Sequence, residues 1–229
     1  MAYVLGFIYA DGSLENALYL RGKYLRITST DKEIIFSIKK WLHSEHKIIP
    51  KKSSSPNGKP CYFLRIGSHR IYDSLSKHGL YPNKSLTIKF PPHIPNKYLP
   101  DYTRGYFDGD GCISLSTKKG TNKPIITKKL TLSFTSGSKD FLEDLSLIIS
   151  KNTNINLHKV YDSHNSFQLC YGTSDSIELF KFLYSNTDKG YYFQRKFDIF
   201  CNYFSLQPGR VDKKAKEILE CLSRGHVVK

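Results

Sequence analysis

The sequence predicts an α+β protein of two similar halves, each combining helices with an antiparallel sheet. Two observations predict it. A short phrase occurs twice, as VLGFIYADG at residues 4–12 and TRGYFDGDG at residues 103–111. Each copy has a small residue at its third and seventh positions and closes on Asp-Gly. Behind each copy the same order follows: helix, strand, strand, helix, strand, strand, helix. The closing acids, Asp11 and Asp110, lie 99 positions apart, so each half supplies one carboxylate.

The elements follow from local pattern. The apolar run 3–10 is a short helix, with Gly12 suited to a left-handed C-cap. In YLRIT, Leu25 and Ile27 alternate with Tyr24, Arg26 and Thr28, the period of a strand with one polar face. In DKEIIFSIKKWL, residues Ile34, Ile35, Ile38, Trp41 and Leu42 recur at helical spacing, and Ser29, Thr30 and Asp31 offer N-caps. PKKSSSPNGKP (50–60) is a loop by composition. YFLRIGS (62–68) reads as a strand and RIYDSLSKHGL (70–80) as a helix ending at Gly79. Residues 82–100 hold five of the ten prolines, which excludes a regular helix or a central strand. Asp101 is placed to N-cap the next helix.

The second half repeats the plan. CISLS (112–116) and KLTLSFT (129–135) are strands around a loop at 117–124. DFLEDLSLIIS (140–150) is a helix with Phe141, Leu142, Leu145, Ile148 and Ile149 inward. SFQLCYGT (166–173) is a strand and SIELFKFLYS (176–185) a helix. LRITSTDKEI overlays LSFTSGSKDF, and LRIGS overlays LCYGT. The expected divisions are a first half at 1–81, a linker at 82–101, a second half at 102–207 and a tail at 208–229. VDKKAKEILECLSRGH in the tail has helical spacing. It is open to two readings, a further small module or a frayed terminal helix, and the second is expected.

A chain of 229 residues can bury a real core. The charge is the outlier: 35 Lys+Arg against 20 Asp+Glu give +15 and a pI near 9.5. Such a surface attracts polyanions, with nucleic acid the default partner, although a generally Lys-rich composition gives the same charge. Five scattered cysteines without a C-x-x-C pair argue against a disulfide framework or a zinc knuckle and for a reducing, intracellular setting. No apolar run spans a membrane and no signal peptide is expected. An organelle (mitochondrion or chloroplast), a bacterium and a phage remain open as the source.

The doubled phrase carries the chemistry. Gly6 and Ala10 share a helix face, as do Gly105 and Gly109. Small residues on facing helices let backbones touch. Packed so, the helices bring Asp11 and Asp110 together at two C-termini, where partial negative charge disfavours them. A bound divalent metal relieves the repulsion, and a metal between two carboxylates on a basic protein suits phosphodiester hydrolysis. Ordinary Asp-Gly turns would explain one copy, but not two in matching frame.

The phrase resembles the LAGLIDADG motif of the homing endonucleases. Gly6, Ile8, Ala10, Asp11 and Gly12 match its letters in the first copy, and Gly105, Asp108, Asp110 and Gly111 in the second. The resemblance covers about residues 3–204. It implies two pseudo-symmetric αββαββα halves whose curved antiparallel sheets form a DNA-binding saddle. It implies a monomeric, intron-encoded, site-specific endonuclease that leaves 3′ overhangs on a long double-stranded target. The implied cofactor is Mg²⁺, with Mn²⁺ substituting and Ca²⁺ binding without cleavage. Asp11 and Asp110 become the metal-binding acids, with the carbonyls of Ala10 and Gly109 beside them. Lys84 and Lys196 become the basic catalytic residues, organising water or stabilising the developing phosphorane charge, with Arg195 a rival for the second. Asp31 and Ser138 take a polar position at the end of the second strand, oriented to water. Tyr9 departs from the motif, and Arg104, replacing a small apolar residue, is expected to face solvent or DNA.

With Leu25, Ile27, Leu130, Leu132 and Phe134 turned to the core, the groove-facing positions are Tyr24, Arg26, Thr28, Lys129, Thr131 and Ser133. Arg65, Gln168, Ser114 and Ser116 fall on the same side of their strands. Arg suits guanine and Gln suits adenine, while the hairpin lysines Lys118, Lys119 and Lys123 suit phosphates. The alternative is a non-cleaving nucleic-acid-binding protein of the same fold, a regulator or a maturase with intron RNA as partner. An intein endonuclease ranks lower, because no splicing nucleophile opens the chain and no His-Asn pair ends it. Asp108-Gly-Asp110-Gly fails as an EF-hand, since Cys112 stands at a ligand position. His43 and His46 have no further ligand to complete a metal site.

Overall fold

The computed structural model describes residues 1–17, 22–51, 60–119, 126–187 and 190–223. The first half runs α1 (Ala2–Asp11), β1 (Gly12–Ala17), β2 (Gly22–Ser29), α2 (Lys32–Trp41), β3 (Ile48–Lys51), β4 (Cys61–Gly67) and α3 (His69–Lys77). The second runs α4 (Leu99–Asp110), β5 (Gly111–Lys119), β6 (Ile126–Ser136), α5 (Lys139–Asn152), β7 (Val160–Ser163), β8 (Ser166–Tyr171) and α6 (Thr173–Tyr184). Two further helices follow, α7 (Gln194–Leu206) and α8 (Lys213–Ser223). Each half forms a four-stranded antiparallel sheet, in the orders β1-β2-β4-β3 and β5-β6-β8-β7. The fold is therefore α+β with the element order repeated.

Register confirms the duplication residue by residue. Ser13 faces Arg26, which faces Arg65. Their counterparts Cys112, Ser133 and Cys170 stand in the same relation. Leu25, Ile27, Leu130, Leu132 and Phe134 are all fully buried, as strand alternation requires. One continuous apolar core runs through both halves.

The halves meet along α1 and α4. A Cβ on Gly6 would fall on the carbonyl of Tyr102, and one on Gly105 on the carbonyl of Tyr3. Backbone lies directly on backbone there, and no side chain fits. A buried polar latch crosses the same junction: Tyr3 Oη donates to Asp108 Oδ2 at 2.8 Å, and the Phe193 amide donates to the same oxygen at 2.8 Å. At the matching place in the first half, Tyr9 Oη donates instead to the His78 carbonyl at 2.5 Å. A phenol thus spans from motif to following chain where an aspartate does so in the other copy.

Several sequence expectations are corrected. Gly12 is not a left-handed cap. Its φ is −97° and ψ 152°, so it opens β1, and Gly111 likewise opens β5. Both glycines are required by space, since a Cβ would lie 2.6 Å from the Ile8 carbonyl and 2.5 Å from that of Phe107. Left-handed backbone occurs instead at Gly79, where φ is +90° and the Leu80 amide donates back to Leu75 at 3.1 Å. Asp101 does not N-cap α4, which begins at Leu99 with Pro100 in its first turn. Asp101 instead accepts from Arg104 Nη2 at 2.6 Å. Arg104 faces neither solvent nor DNA. It is 1 % exposed, and it also donates to the carbonyls of Leu183 and Tyr191, at 2.5 and 2.8 Å.

The linker carries single 3₁₀ turns at Lys84–Leu86 and Asn96–Tyr98 and no α-helix or strand between α3 and α4. Helix α7 went unread, although Phe197, Phe200 and Phe204 recur at helical spacing and are buried. Helix α8 is docked rather than frayed: Ala215, Ile218 and Leu222 are buried against the core. Among the described residues no helix is long and apolar enough to cross a membrane.

The glycine contact sets a test. Gly6→Ala and Gly105→Ala are each expected to lower stability by about 3 kcal/mol or more, the upper range of overpacking. Gly172→Ala, with no atom within 4 Å of the new carbon, is expected to stay within about 0.5 kcal/mol. Urea unfolding of the three variants measures the difference.

Candidate active site at the paired helix ends

Because α1 and α4 pack through their small residues, their last residues meet. A Cβ on Gly109 would collide with the Ala10 methyl and lie 3.6 Å from Oδ2 of Asp11. Asp11, Ala10 and Gly109 are therefore neighbours, and Asp110 follows Gly109 directly. The charge of Asp110 acts on Asp11. Asp11 is raised from 3.8 to about 7, first by burial and then by the charge of Asp110, with Lys196 and Lys84 opposing. Asp110, the more open of the two, is also raised by burial, again against both lysines.

The lysines occupy matching places. Lys84 Nζ donates to the carbonyl of Tyr9 at 2.5 Å and approaches that of Ala10 at 3.4 Å. Lys196 Nζ donates to the carbonyls of Phe107, Asp108 and Gly111 at 2.5, 2.9 and 2.6 Å. Both are almost fully buried, at 5 % and 4 % exposure. Each ammonium thus sits at the carbonyl end of a motif helix, where the last turn lacks intrahelical donors. Burial pulls Lys196 down to about 8 and lowers Lys84 as well. Arg195, the other candidate for the second basic position, is largely exposed, with its Nε 3.9 Å from Asp31.

Asp31 and Ser138 prove to be helix N-caps. Asp31 accepts from the Glu33 amide at 3.1 Å, and Ser138 from Phe141 at 3.3 Å. Ser138 is buried, so its assignment to a water-facing position is corrected. Its physical role is to satisfy the first turn of α5.

The positions expected to face a groove lie on the outer sheet faces. In the first sheet Tyr24, Arg26, Thr28 and Arg65 are exposed or half-buried, alternating with the buried Leu25, Ile27, Leu64 and Ile66. In the second, Ser114, Ser116, Lys129, Thr131 and Ser133 share one face, joined by Gln168 opposite Thr135. Lys118 and Lys119 continue β5 in backbone, but their side chains, and all of Lys123, lie outside the described residues. Glu15 escaped the sequence reading. It binds Arg26 Nη1 at 3.0 Å and Arg65 Nε at 2.9 Å on that face. Its place opposite Tyr24 is readable only once the pairing register is known.

The donor set fits a hard divalent cation. It offers two carboxylates, each raised in its proton affinity, beside main-chain carbonyls. Among the described residues no group of three or more His, Cys, Asp or Glu is arranged to hold a metal.

The raised carboxyl has a measurable consequence. A group whose folded pKa exceeds its unfolded value stabilises fully below the unfolded value and loses that contribution as pH rises through the folded one. For Asp11 that window runs from about 4 to about 7. Without divalent metal, the wild-type melting temperature is expected to fall from pH 5 to 7.5 more steeply than that of Asp11→Asn. At pH 7.5 the variant is expected to melt on the order of 3 °C or more above wild type. Asp108, raised by burial to about 6, contributes to both proteins alike. Differential scanning calorimetry in chelator reads the comparison.

Residues 101–182 match the model of the LAGLIDADG-like domain family. The whole chain superposes on crystal structures of LAGLIDADG meganucleases. On I-SmaMI bound to uncleavable DNA, the TM-score is 0.62 at 16 % identity, over 99 % of this chain and 98 % of that one. On I-AabMI bound to uncleaved DNA, it is 0.60 at 14 % identity, over 97 % and 99 %. On I-LtrWI bound to target DNA, it is 0.59 at 13 % identity, over 99 % and 97 %. A stretch of 74 residues is 38 % identical to part of a probable translation initiation factor IF-2 of Thermococcus kodakarensis, covering 30 % of this chain. The chain spans only 5 % of that relative's length. Residues 101–182 thus resemble a LAGLIDADG-like domain, and the chain as a whole has the fold of the LAGLIDADG meganucleases on which it superposes.

Proposed function

We propose that the protein is a monomeric, site-specific DNA endonuclease that hydrolyses both strands of a long target and leaves 3′ overhangs. One observation carries this reading above the others. Two halves each spend a carboxylate at an electrostatically unfavourable helix end, and the packing of α1 on α4 brings the two together. A protein that only bound DNA has no need of that arrangement. The DNA-bound state of the superposable meganucleases supports the partner, and the charge of +15 supports affinity for a polyanion.

Asp11 and Asp110 would hold the metal, with the Ala10 and Gly109 carbonyls at hand. Mg²⁺ suits two carboxylates that leave room for water and phosphate oxygens, and Mn²⁺ would substitute. Bound there, the cation supplies an activated water and charge for the leaving oxygen. The Ca²⁺ complex of I-SmaMI with uncleaved DNA fits the expectation that Ca²⁺ binds here without supporting cleavage. Lys84 and Lys196 act from behind. Their ammonium groups neutralise the helix ends and lower the cost of ionising two adjacent acids. Their bonds to carbonyls support a positioning role beside the metal.

The test is digestion of a library carrying random and genomic DNA in Mg²⁺, with the ends sequenced. One dominant site with short 3′ overhangs is expected, and Asp11→Asn and Asp110→Asn are each expected to reduce cutting to background. Specific binding that never yields cleavage in Mg²⁺ or Mn²⁺ would overturn the proposal in favour of a non-cleaving regulator or an intron-RNA maturase.

A further inference from the structure

The two sheets are built alike in backbone and unlike in what they present. Around the middle of the first sheet stand Ser13, Glu15, Tyr24, Arg26 and Arg65. Glu15 accepts from Arg26 Nη1 with one oxygen and from Arg65 Nε with the other. The Arg65 guanidinium carbon lies 3.7 Å from the centre of the Tyr24 ring. That ring is held against the sheet by absent side chains. A Cβ on Gly22 would run into it, and one on Gly67, opposite Tyr24 in register, would stand 3.1 Å from Cε1. Two glycines thus seat the ring, the ring seats the guanidinium, and the carboxylate fixes its rotation.

With Nε on Glu15, neither terminal nitrogen of Arg65 has a hydrogen-bond partner among the described residues. Two parallel N–H donors in a fixed plane match the O6 and N7 acceptors of guanine in the major groove. A lysine, or a guanidinium free to rotate, gives charge without that geometry. Arg26, bound through Nη1 and half-exposed, is held less firmly.

Register identifies the same five places in the second sheet as Cys112, Ser114, Thr131, Ser133 and Cys170. All are small and uncharged. Gly172, the counterpart of Gly67, has nothing within 4 Å of where its Cβ would be. Among the described residues no ring, clamp or fork stands there.

We propose that Arg65, oriented by Glu15 and Tyr24, determines specificity for guanine at one position of the first half-site, and that the pseudo-symmetric position of the second half-site is left unread. The proposal rests on the DNA-binding reading above. Ser13 lies two residues beyond Asp11, so the position read is close to the cleavage centre. Glu15 is a positioning residue. It carries the charge that DNA repels, so it costs affinity while it confers discrimination.

The experiment is selection of bound sequences from a randomised duplex library by the full chain in Ca²⁺, repeated with Arg65→Lys and Glu15→Gln. Wild type is expected to select guanine at one near-central position by roughly ten- to hundredfold, with less than about twofold preference at its mirror position. Arg65→Lys is expected to flatten that position and keep the salt dependence of binding, since the charge remains. Glu15→Gln is expected to weaken the same preference while raising affinity for mismatched DNA several-fold. A merely structural role would lower the melting temperature without moving a single base preference. A selected site in which no guanine position responds to Arg65→Lys overturns this inference and leaves the DNA-binding reading standing. Failure to select any sequence overturns both.

Discussion

Everything in this molecule depends on the direct contact of two helix backbones. Gly6 and Gly105 lie against the carbonyls of Tyr102 and Tyr3, so the helices approach without side chains between them. This closeness has little to do with helix propensity, which glycine lowers. It places the ends of α1 and α4 side by side and makes one site from two halves. The Tyr3–Asp108 latch and the stacking of Trp41 on Tyr191, with ring centroids 4.4 Å apart, tie the same junction from the periphery. A displacement of either helix would be felt at once by the carboxylates at their ends.

That arrangement concentrates negative charge: two acids and two helix C-termini in one place. The chain answers with two buried lysines, one from the linker and one from α7, each bonded to the carbonyls of its own helix end. Asp11 nonetheless keeps a raised proton affinity, first from burial and then from the charge of Asp110. In the proposed reading, a divalent cation between the two carboxylates would relieve both burial and repulsion. A site with the repulsion fully cancelled would have less reason to bind one.

The fold was legible because it is written twice. Alternation around Leu25 and Ile27 and its echo at Leu130, Leu132 and Phe134 located the central strands, and the paired Asp-Gly phrases located the site. Lys84 and Lys196 were found only through resemblance, and their contacts with helix carbonyls could not be read from spacing. Edge strands such as β3 and β7 are four residues each, too short for a period to declare itself. Arg104 misled because an arginine in an apolar run looks exposed, whereas the carbonyls of Leu183 and Tyr191 that receive it come from 79 and 87 residues away. Glu15 was invisible for the same reason: its partners are set by strand register.

The most direct measurement is the stoichiometry of Mn²⁺ bound to the whole chain, followed by electron paramagnetic resonance for wild type, Asp11→Asn and Asp110→Asn. A single site shared between the halves requires that either substitution alone removes the bound Mn²⁺ as completely as both together. If each single variant retained half of the wild-type Mn²⁺, or if wild type bound none, the two carboxylates would not form one centre.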